Sequence, residues 1–226
     1  MNTNKAKDKQ KKLVIYGTGT FAEIAYFYFN FDSIYEVCAF TVESSHLNTE
    51  YFKGLRVIPF EEIQNYYSPQ YYEMFIAIGY NRLNDIRTKF YHKAKEKGYR
   101  LATYISSYSM VLADEIGDNC FILENNTIQP FTKIGSNTII WSTNHIGHHV
   151  VIEENCFITS NVTISGFCKI GRNSFIGVGA NIIDNISIAE YNLIGAGALI
   201  TKNTEPYQVY KGNKAILANN KSTEYF

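Results

Sequence analysis

The sequence has no surplus of either charge: 21 Lys and Arg stand against 21 Asp and Glu, and the formal net charge is zero. A general nucleic-acid binder needs a basic excess to neutralise phosphates, so that class is set aside. No run approaches the roughly 20 apolar residues that a membrane-spanning helix requires. The opening MNTNKAKDKQKK is charged and has no apolar core ahead of a cleavage site, so it does not read as a signal peptide. Cys38, Cys120, Cys156 and Cys168 form no C-x-x-C pair. Neither a disulfide framework nor a zinc site is indicated, no metal site is expected, and a reducing cytoplasm is the expected setting. What remains is a 226-residue chain with 46% hydrophobic and 19% charged residues, which suits one large globular domain or two small ones.

The strongest pattern is a repeat. From Ile116 through Ile122, Ile128, Ile134 and onward to Ile200, isoleucine occupies every sixth position without a slip. A helix spaces its apolar residues by 3.6 and a strand by 2, so period six fits neither alone. It fits a short strand plus a turn, repeated as one flat face of a three-sided prism, with isoleucines stacked inside. Gly117, Gly135, Gly147, Gly171, Gly177 and Gly195 follow the isoleucines, and Asn119, Asn137, Asn155 and Asn173 come two positions later. Both residue types tolerate the left-handed backbone of a tight corner, and both are expected to serve there. The fold read from this is a left-handed parallel β-helix.

The segment before the repeat alternates strand and helix. Strands are expected at 12–16, 36–42, 54–58, 74–78 and 101–105, and helices at 20–30 and 82–98 with Gly98 as the stop. This is a small Rossmann-like α/β domain whose ligand should sit beyond the carboxyl ends of the strands. Gly17 and Gly19 close the first strand, so the backbone there can approach a phosphate or sugar at a helix N-terminus. Thr41 and Glu43 follow the second strand, where an acidic residue suits a ribose hydroxyl, and Asn81 and Arg82 follow the strand at 74–78, with Arg82 a candidate for a diphosphate. The expected organisation is a disordered tail (1–11), a nucleotide-sugar-binding domain (12–105), the β-helix (106–205) and a C-terminal tail (206–226).

A small α/β domain leading straight into hexads resembles the bacterial sugar acyltransferases of the sialic-acid O-acetyltransferase type. That group includes the N-acetyltransferases acting on nucleotide-linked amino sugars. The resemblance rests on IYGTGTFAE, AIGYNRLNDIR, the hexads and the closing IGAGALITKNTEPYQVYKGNKA. It implies a homotrimer in the cytoplasm that serves surface-glycan synthesis. It also implies a nucleotide-sugar substrate in the N-terminal domain, acetyl-CoA in a groove between neighbouring β-helices, and a histidine general base.

His145, His148 and His149 crowd one corner of the repeat. Acyl transfer needs a base that titrates near neutrality to take the nucleophile's proton, and imidazole meets that requirement. A solvent-facing polar corner or an adventitious metal site is the plainer reading of the same residues. His148 occupies the position that matches the catalytic histidine of the family, with His149 where the family often has an acidic residue. His145 is the second candidate base, or a substrate ligand together with Asn144. Phe157 stands where the family often places a CoA-contacting histidine, so any contact there would be apolar. Gly166 lies one coil after His148, where an absent side chain leaves room for pantetheine and an amide for the thioester oxygen. Gly177, Gly195, Ala196 and Gly197 are candidates for the same groove, and Lys202 and Lys211 for CoA phosphates. Acetylation of a sugar hydroxyl, a metal-dependent β-helical hydratase and a non-catalytic solenoid stay open beside acetylation of an amine.

Overall fold

In the computed structural model, which describes residues 9–217, 219 and 222–224, the six-residue isoleucine period becomes three flat faces. Each hexad supplies a two-residue strand that ends on its isoleucine, and the strand pairs in parallel with those one coil away. Thr127 pairs with His145 and His145 with Thr163; Lys133, Val151 and Lys169 do the same on the second face, and Ile139, Phe157 and Phe175 on the third. Sheets of six, five and seven strands result, and together they form the left-handed parallel β-helix. In this series Ile116 is half-buried, and the isoleucines from Ile122 to Ile200 are buried in one continuous cluster. Each contributes about 1.5–3 kcal/mol by leaving water.

The corners divide the work differently from the expectation. Positive φ falls on Asn119, Asn137, Asn155 and Asn173, as expected of asparagine, and also on Phe131, His149, Phe167 and Tyr191. The glycines that follow the isoleucines do not take it. Gly147 has no positive φ, and a Cβ there would lie 2.6 Å from the backbone nitrogen of Gly166. These glycines let one coil lie close on the next, which is a packing requirement and not a conformational one.

Before the β-helix, the chain runs through β1 (Lys11–Tyr16), α1 (Thr20–Phe31), β2 (Tyr35–Val42), β3 (Tyr51–Phe52), β4 (Leu55–Pro59), α2 (Ile63–Tyr66), β5 (Tyr72–Ile76) and α3 (Asp85–Glu96). The sheet order is β3-β4-β2-β1-β5, parallel except where β3 meets β4. The strand expected at 101–105 is split. Leu101 bridges Met74 in this sheet, whereas Tyr104–Ile105 pairs with Phe121–Ile122 as the first strand of the β-helix. At the other end Val209–Tyr210 pairs with Leu193–Ile194, so the same sheet runs one strand past residue 205. At the N-terminus Lys11 already belongs to β1, and the Lys9 ammonium donates to the carbonyls of Phe29, Asn30 and Ser33. The rest of the tail expected there, residues 1–8, lies outside the described residues.

One face of the β-helix carries the domain contact. Tyr104, Phe121, Ile139 and Phe157 point outward from it, yet they are buried because Leu13, Ile15, Phe29 and Phe75 of the α/β domain pack over them. A polar seam crosses the same contact. The Ile76 amide donates to Asn119 Oδ1 at 2.8 Å, Asn119 donates to Asn137, Asn137 to Asn155 and Asn155 to Asn173. Asn173 in turn donates to the Leu83 carbonyl and to Asp85.

Arg87 of α3 is wholly buried beside that seam. Its Nε and Nη2 donate to the carbonyl of Asn137, Nη2 also to those of Asn155 and Cys156, and Nη1 to the Gly79 carbonyl and Asn84 Oδ1. The guanidinium lies 5.8 Å from the centre of the Phe157 ring. Burial pushes its pKa down to about 9, so it stays cationic at neutral pH and is held by oxygen dipoles, with no carboxylate among these partners. Replacing Arg87 by Leu leaves buried carbonyls of both domains without donors. We expect a loss of about 3 kcal/mol or more in urea unfolding, far beyond the effect of a surface Arg→Leu change at Arg100.

Candidate functional site

His145 opens a two-residue strand, His145–Ile146, and its side chain is exposed on the face between Thr127 and Thr163. Gly147 then presses on the next coil, and the chain turns the corner with His148 and His149, both exposed. Gln129 of the previous coil accepts the backbone N–H of His148 at 2.9 Å. The imidazole of His148 rests over Gly166: a Cβ at that glycine would lie 2.7 Å from Cε1 and 3.0 Å from Nε2. Gly166 has no positive φ, so its lack of a side chain serves space. That space lies against the ring of His148.

His149 holds the left-handed corner position, with φ of 59°. Its Nδ1 is 3.1 Å from Nδ1 of His148. Phe131 and Phe167 occupy the same corner one coil before and one coil after, and each ring centre is 4.7 Å from that of His149. Phe167 also meets His148 edge-on at 4.9 Å. The two histidines are therefore fixed by an imidazole–imidazole contact and an aromatic clamp. Among the described residues no group of three or more His, Cys, Asp or Glu side chains converges as a metal site.

Several expected ligands lie elsewhere. Asn144 is buried and spends its side chain inside the corner, donating to the Trp141 carbonyl and accepting the Val162 amide. Phe157 is only 3% exposed, because its face of the β-helix is the one the α/β domain covers. Gly177 is buried, with a hypothetical Cβ 2.6 Å from the Ala196 nitrogen, and Gly195 packs against the backbone of Tyr210. Both serve the close stacking of coils. Ala196, Gly197, Lys202 and Lys211 are exposed.

In the α/β domain, Gly17 needs to be glycine: its φ is 119°, and a Cβ would lie 2.9 Å from the Ala77 carbonyl oxygen. Its amide donates to the Thr41 carbonyl. Gly19 is the N-cap of α1 and has no side chain to cap the first turn, whose leading amides are the kind of donor an anion site uses. Thr41 is buried and its hydroxyl donates to the Ile58 carbonyl, which takes it out of reach of a ligand. Glu43 pairs with Lys93 at 2.9 Å and lines a hollow with Phe60 and Glu61. Asn81 and Arg82 are exposed and line a different cavity of about 320 Å³ with Tyr80, Leu83, Phe175 and Leu193. The structure thus brings Asn81 and Arg82 together, and leaves Glu43 apart from them.

Two features escaped the sequence reading. Arg82, Leu83 and Asn84 all hold positive φ, an unusual run for non-glycine residues, with Asn84 wholly buried and bonded to Arg87 and to the carbonyls of Asn173 and Ser174. Nothing in RLN announces this. The aromatic clamp was within reach, since Phe131, His149 and Phe167 share one phase of the repeat.

Comparisons agree with this architecture. The family model for the PglD N-terminal domain matches residues 12–94, and that for the bacterial transferase hexapeptide (six repeats) matches 131–166 and 167–202. The acetyltransferase domain of PglB from Neisseria gonorrhoeae is similar with a TM-score of 0.75 and 21% identity, over 90% of this chain and 97% of that one. A mutant of perosamine N-acetyltransferase from Caulobacter crescentus, in complex with CoA and GDP-perosamine, gives 0.77 and 22% over 89% and 93%. WeeI from Acinetobacter baumannii gives 0.72 and 20% over 87% and 94%. Identities this low establish a shared fold, and the two family models locate both halves of it in this sequence. The chain therefore joins a PglD-type N-terminal domain to bacterial transferase hexapeptide repeats, on a fold shared with those acetyltransferases.

Proposed function

We propose that the protein transfers the acetyl group of acetyl-CoA to the amino group of a nucleotide-linked amino sugar, with His148 as general base. The observation that carries this reading is the exposed His148 imidazole seated on Gly166, on a fold shared almost end to end with an N-acetyltransferase whose structure holds CoA and GDP-perosamine. Nδ1 of His148 faces His149, which leaves Nε2 for the acceptor. The neutral amine attacks the thioester carbonyl, and its proton passes to Nε2. The tetrahedral oxyanion then collapses, the carbon–sulfur bond breaks, and the CoA thiolate takes that proton from the imidazolium. His145, on the adjoining strand, positions the sugar. The cavity beside Asn81 and Arg82, with the open first turn of α1, suits the nucleotide's diphosphate.

A second copy of the chain completes the site in this proposal. Phe131 and Phe167 are 55% and 54% exposed beside the histidines, and Val151 and Ile183 are exposed nearby in the repeat. Such an apolar edge favours a neighbouring β-helix, with the pantetheine arm between the two and exposed Lys202 and Lys211 available to CoA phosphates. Light scattering at micromolar concentration should return the mass of a trimer. A monomer would remove the shared site.

Release of CoA, followed with a thiol reagent across GDP-, UDP-, dTDP- and CMP-linked amino sugars and their hydroxyl counterparts, tests the reaction. Turnover confined to amino sugars is expected, and turnover with hydroxyl sugars alone would make the enzyme an O-acetyltransferase. His148→Ala should lower kcat about 10²–10⁴-fold and change KM for acetyl-CoA little. His145→Ala should be milder and should raise KM for the sugar; the reverse order of losses would transfer the base role to His145.

Gly166→Ala adds one methyl group against the His148 ring. It should cost about 10- to 100-fold in kcat with unchanged circular dichroism, because the base moves and the fold does not. Wild-type turnover in a folded Gly166→Ala protein would show that the seat does not set the imidazole.

A further inference from the structure

The pair His148–His149 has a specific chemical consequence. Two Nδ1 atoms 3.1 Å apart can share one proton only if one ring donates and the other accepts. A neutral imidazole carries a single N–H, so the choice at Nδ1 also decides which nitrogen of His148 is left with a lone pair. We propose that His149 is the positioning residue for His148: its Nδ1 accepts the Nδ1–H of His148 and so keeps Nε2 of His148 free to take a proton. This inference rests on the base role proposed for His148, and assigns to a second imidazole the orienting task that a carboxylate performs in a Ser-His-Asp triad.

Three observations support it beyond the distance. His149 holds a left-handed corner with φ of 59°, a conformation histidine accepts better than most residues, and this fixes where its side chain leaves the backbone. Phe131 and Phe167 clamp its ring, the latter nearly coplanar at 20°, which fixes the direction of Nδ1. Gly166 and Phe167 bound the His148 ring on the next coil, so both partners have defined orientations.

Among the described residues, neither His148 nor His149 takes part in a salt bridge. In the coils on either side, the same two corner positions hold Pro130 and Phe131, Gly166 and Phe167, then Asp184 and Asn185. The Asp184 carboxylate accepts the Asn185 side-chain amide, and Gly166 stands between it and His148 along the corner. On the adjoining face Lys133 pairs with Glu115 and Lys169 with Glu153. His145 is the remaining titratable group on the strand that leads into the corner.

A proton added to the pair at low pH reverses this arrangement whichever ring receives it. If His149 is protonated, its Nδ1–H points at His148, whose own proton must then sit on Nε2. If His148 is protonated, Nε2 is occupied directly. The base is off in both states, so the acid limb of the rate profile belongs to the pair and not to one histidine.

Nitrogen-15 NMR of the imidazoles tests the pairing without any substrate. In the wild-type protein above its acid limb, His148 should carry its proton on Nδ1. In His149→Gly, which suits a left-handed corner as Gly179 and Gly197 do, His148 should revert to a mixture rich in the Nε2–H form. An Nε2–H tautomer in the wild type, or a tautomer unchanged in His149→Gly, overturns the inference whatever the acetylation rate. With an amino-sugar nucleotide, His149→Gly should lose about 10- to 100-fold in kcat with KM for acetyl-CoA unchanged, a smaller loss than His148→Ala. His149→Glu should recover most of that kcat, because a carboxylate accepts the same N–H. Its acid limb should move to higher pH, because a negative neighbour favours the imidazolium. Failure of His149→Glu to restore turnover while His148 stays Nδ1-protonated would overturn the positioning role. Absence of transfer by the wild type with the tautomers as expected would instead remove the proposed reaction and leave the pairing standing.

Discussion

The Arg87 guanidinium is the contact on which the arrangement of the two halves depends. Its donors reach carbonyls of successive β-helix coils on one side and Gly79 and Asn84 of the α/β domain on the other. Burying a cation without a carboxylate is costly, and the structure offsets that cost only when all of these oxygens are in place together. The domain contact is therefore close to all-or-none. Apolar packing of Phe121, Ile139 and Phe157 against Phe29 and Phe75 supplies area, and non-directional contacts of that kind would tolerate a small slide. The planar guanidinium does not. It sets one register between the sheet of the α/β domain and the face of the β-helix, and with it the distance from the loop at Asn81–Arg82 to the histidine corner.

The same polar seam fixes the loop itself. Arg82, Leu83 and Asn84 occupy left-handed backbone in succession, and only Asn84 has a side chain suited to it. The strain is held by Asn84, which binds Arg87 and two carbonyls of the β-helix, and by Asn173, which donates to the Leu83 carbonyl. The cavity-lining loop is thus carried on backbone that neither domain would hold alone. A similar division appears at the histidine corner, where the repeat supplies the scaffold and a few departures from it supply the ring contacts. Phe131, His149 and Phe167 take positions that asparagine fills in other coils.

The period-six isoleucines made the β-helix readable because stacking along a prism leaves one residue type at one phase. The α/β alternation was readable for the same reason, as buried strands and helix spacing each leave a period. The glycines misled, since sequence cannot distinguish a glycine chosen for φ from one chosen for close approach; Gly147 and Gly171 turn out to be the second kind. Asn144 was expected at a ligand because of its company in sequence, and Phe157 because of the family resemblance. Asn144 instead bonds within its own corner, and the face holding Phe157 is covered by another domain, an event with no local signature. Arg87 looked like any helical arginine. Its role exists only after both domains have met.

The asparagine seam also has a direction. Ile76 donates to Asn119, which leaves the amide group of Asn119 one way to face, and each asparagine then dictates the next as far as Asn173 and the start of α3. The chain of amides is a ruler with both ends attached to the α/β domain. Repeat proteins ordinarily grow or shrink by whole coils, because each coil contacts only its neighbours. Here a coil inserted between Asn119 and Asn173 would part the ruler from one of its ends and take Arg87 out of reach of its carbonyls. A coil added beyond the last turns would disturb neither. Length variation in this architecture is thereby confined to the C-terminal end of the prism, and the height of the histidine corner above the first coil is a fixed quantity of the fold.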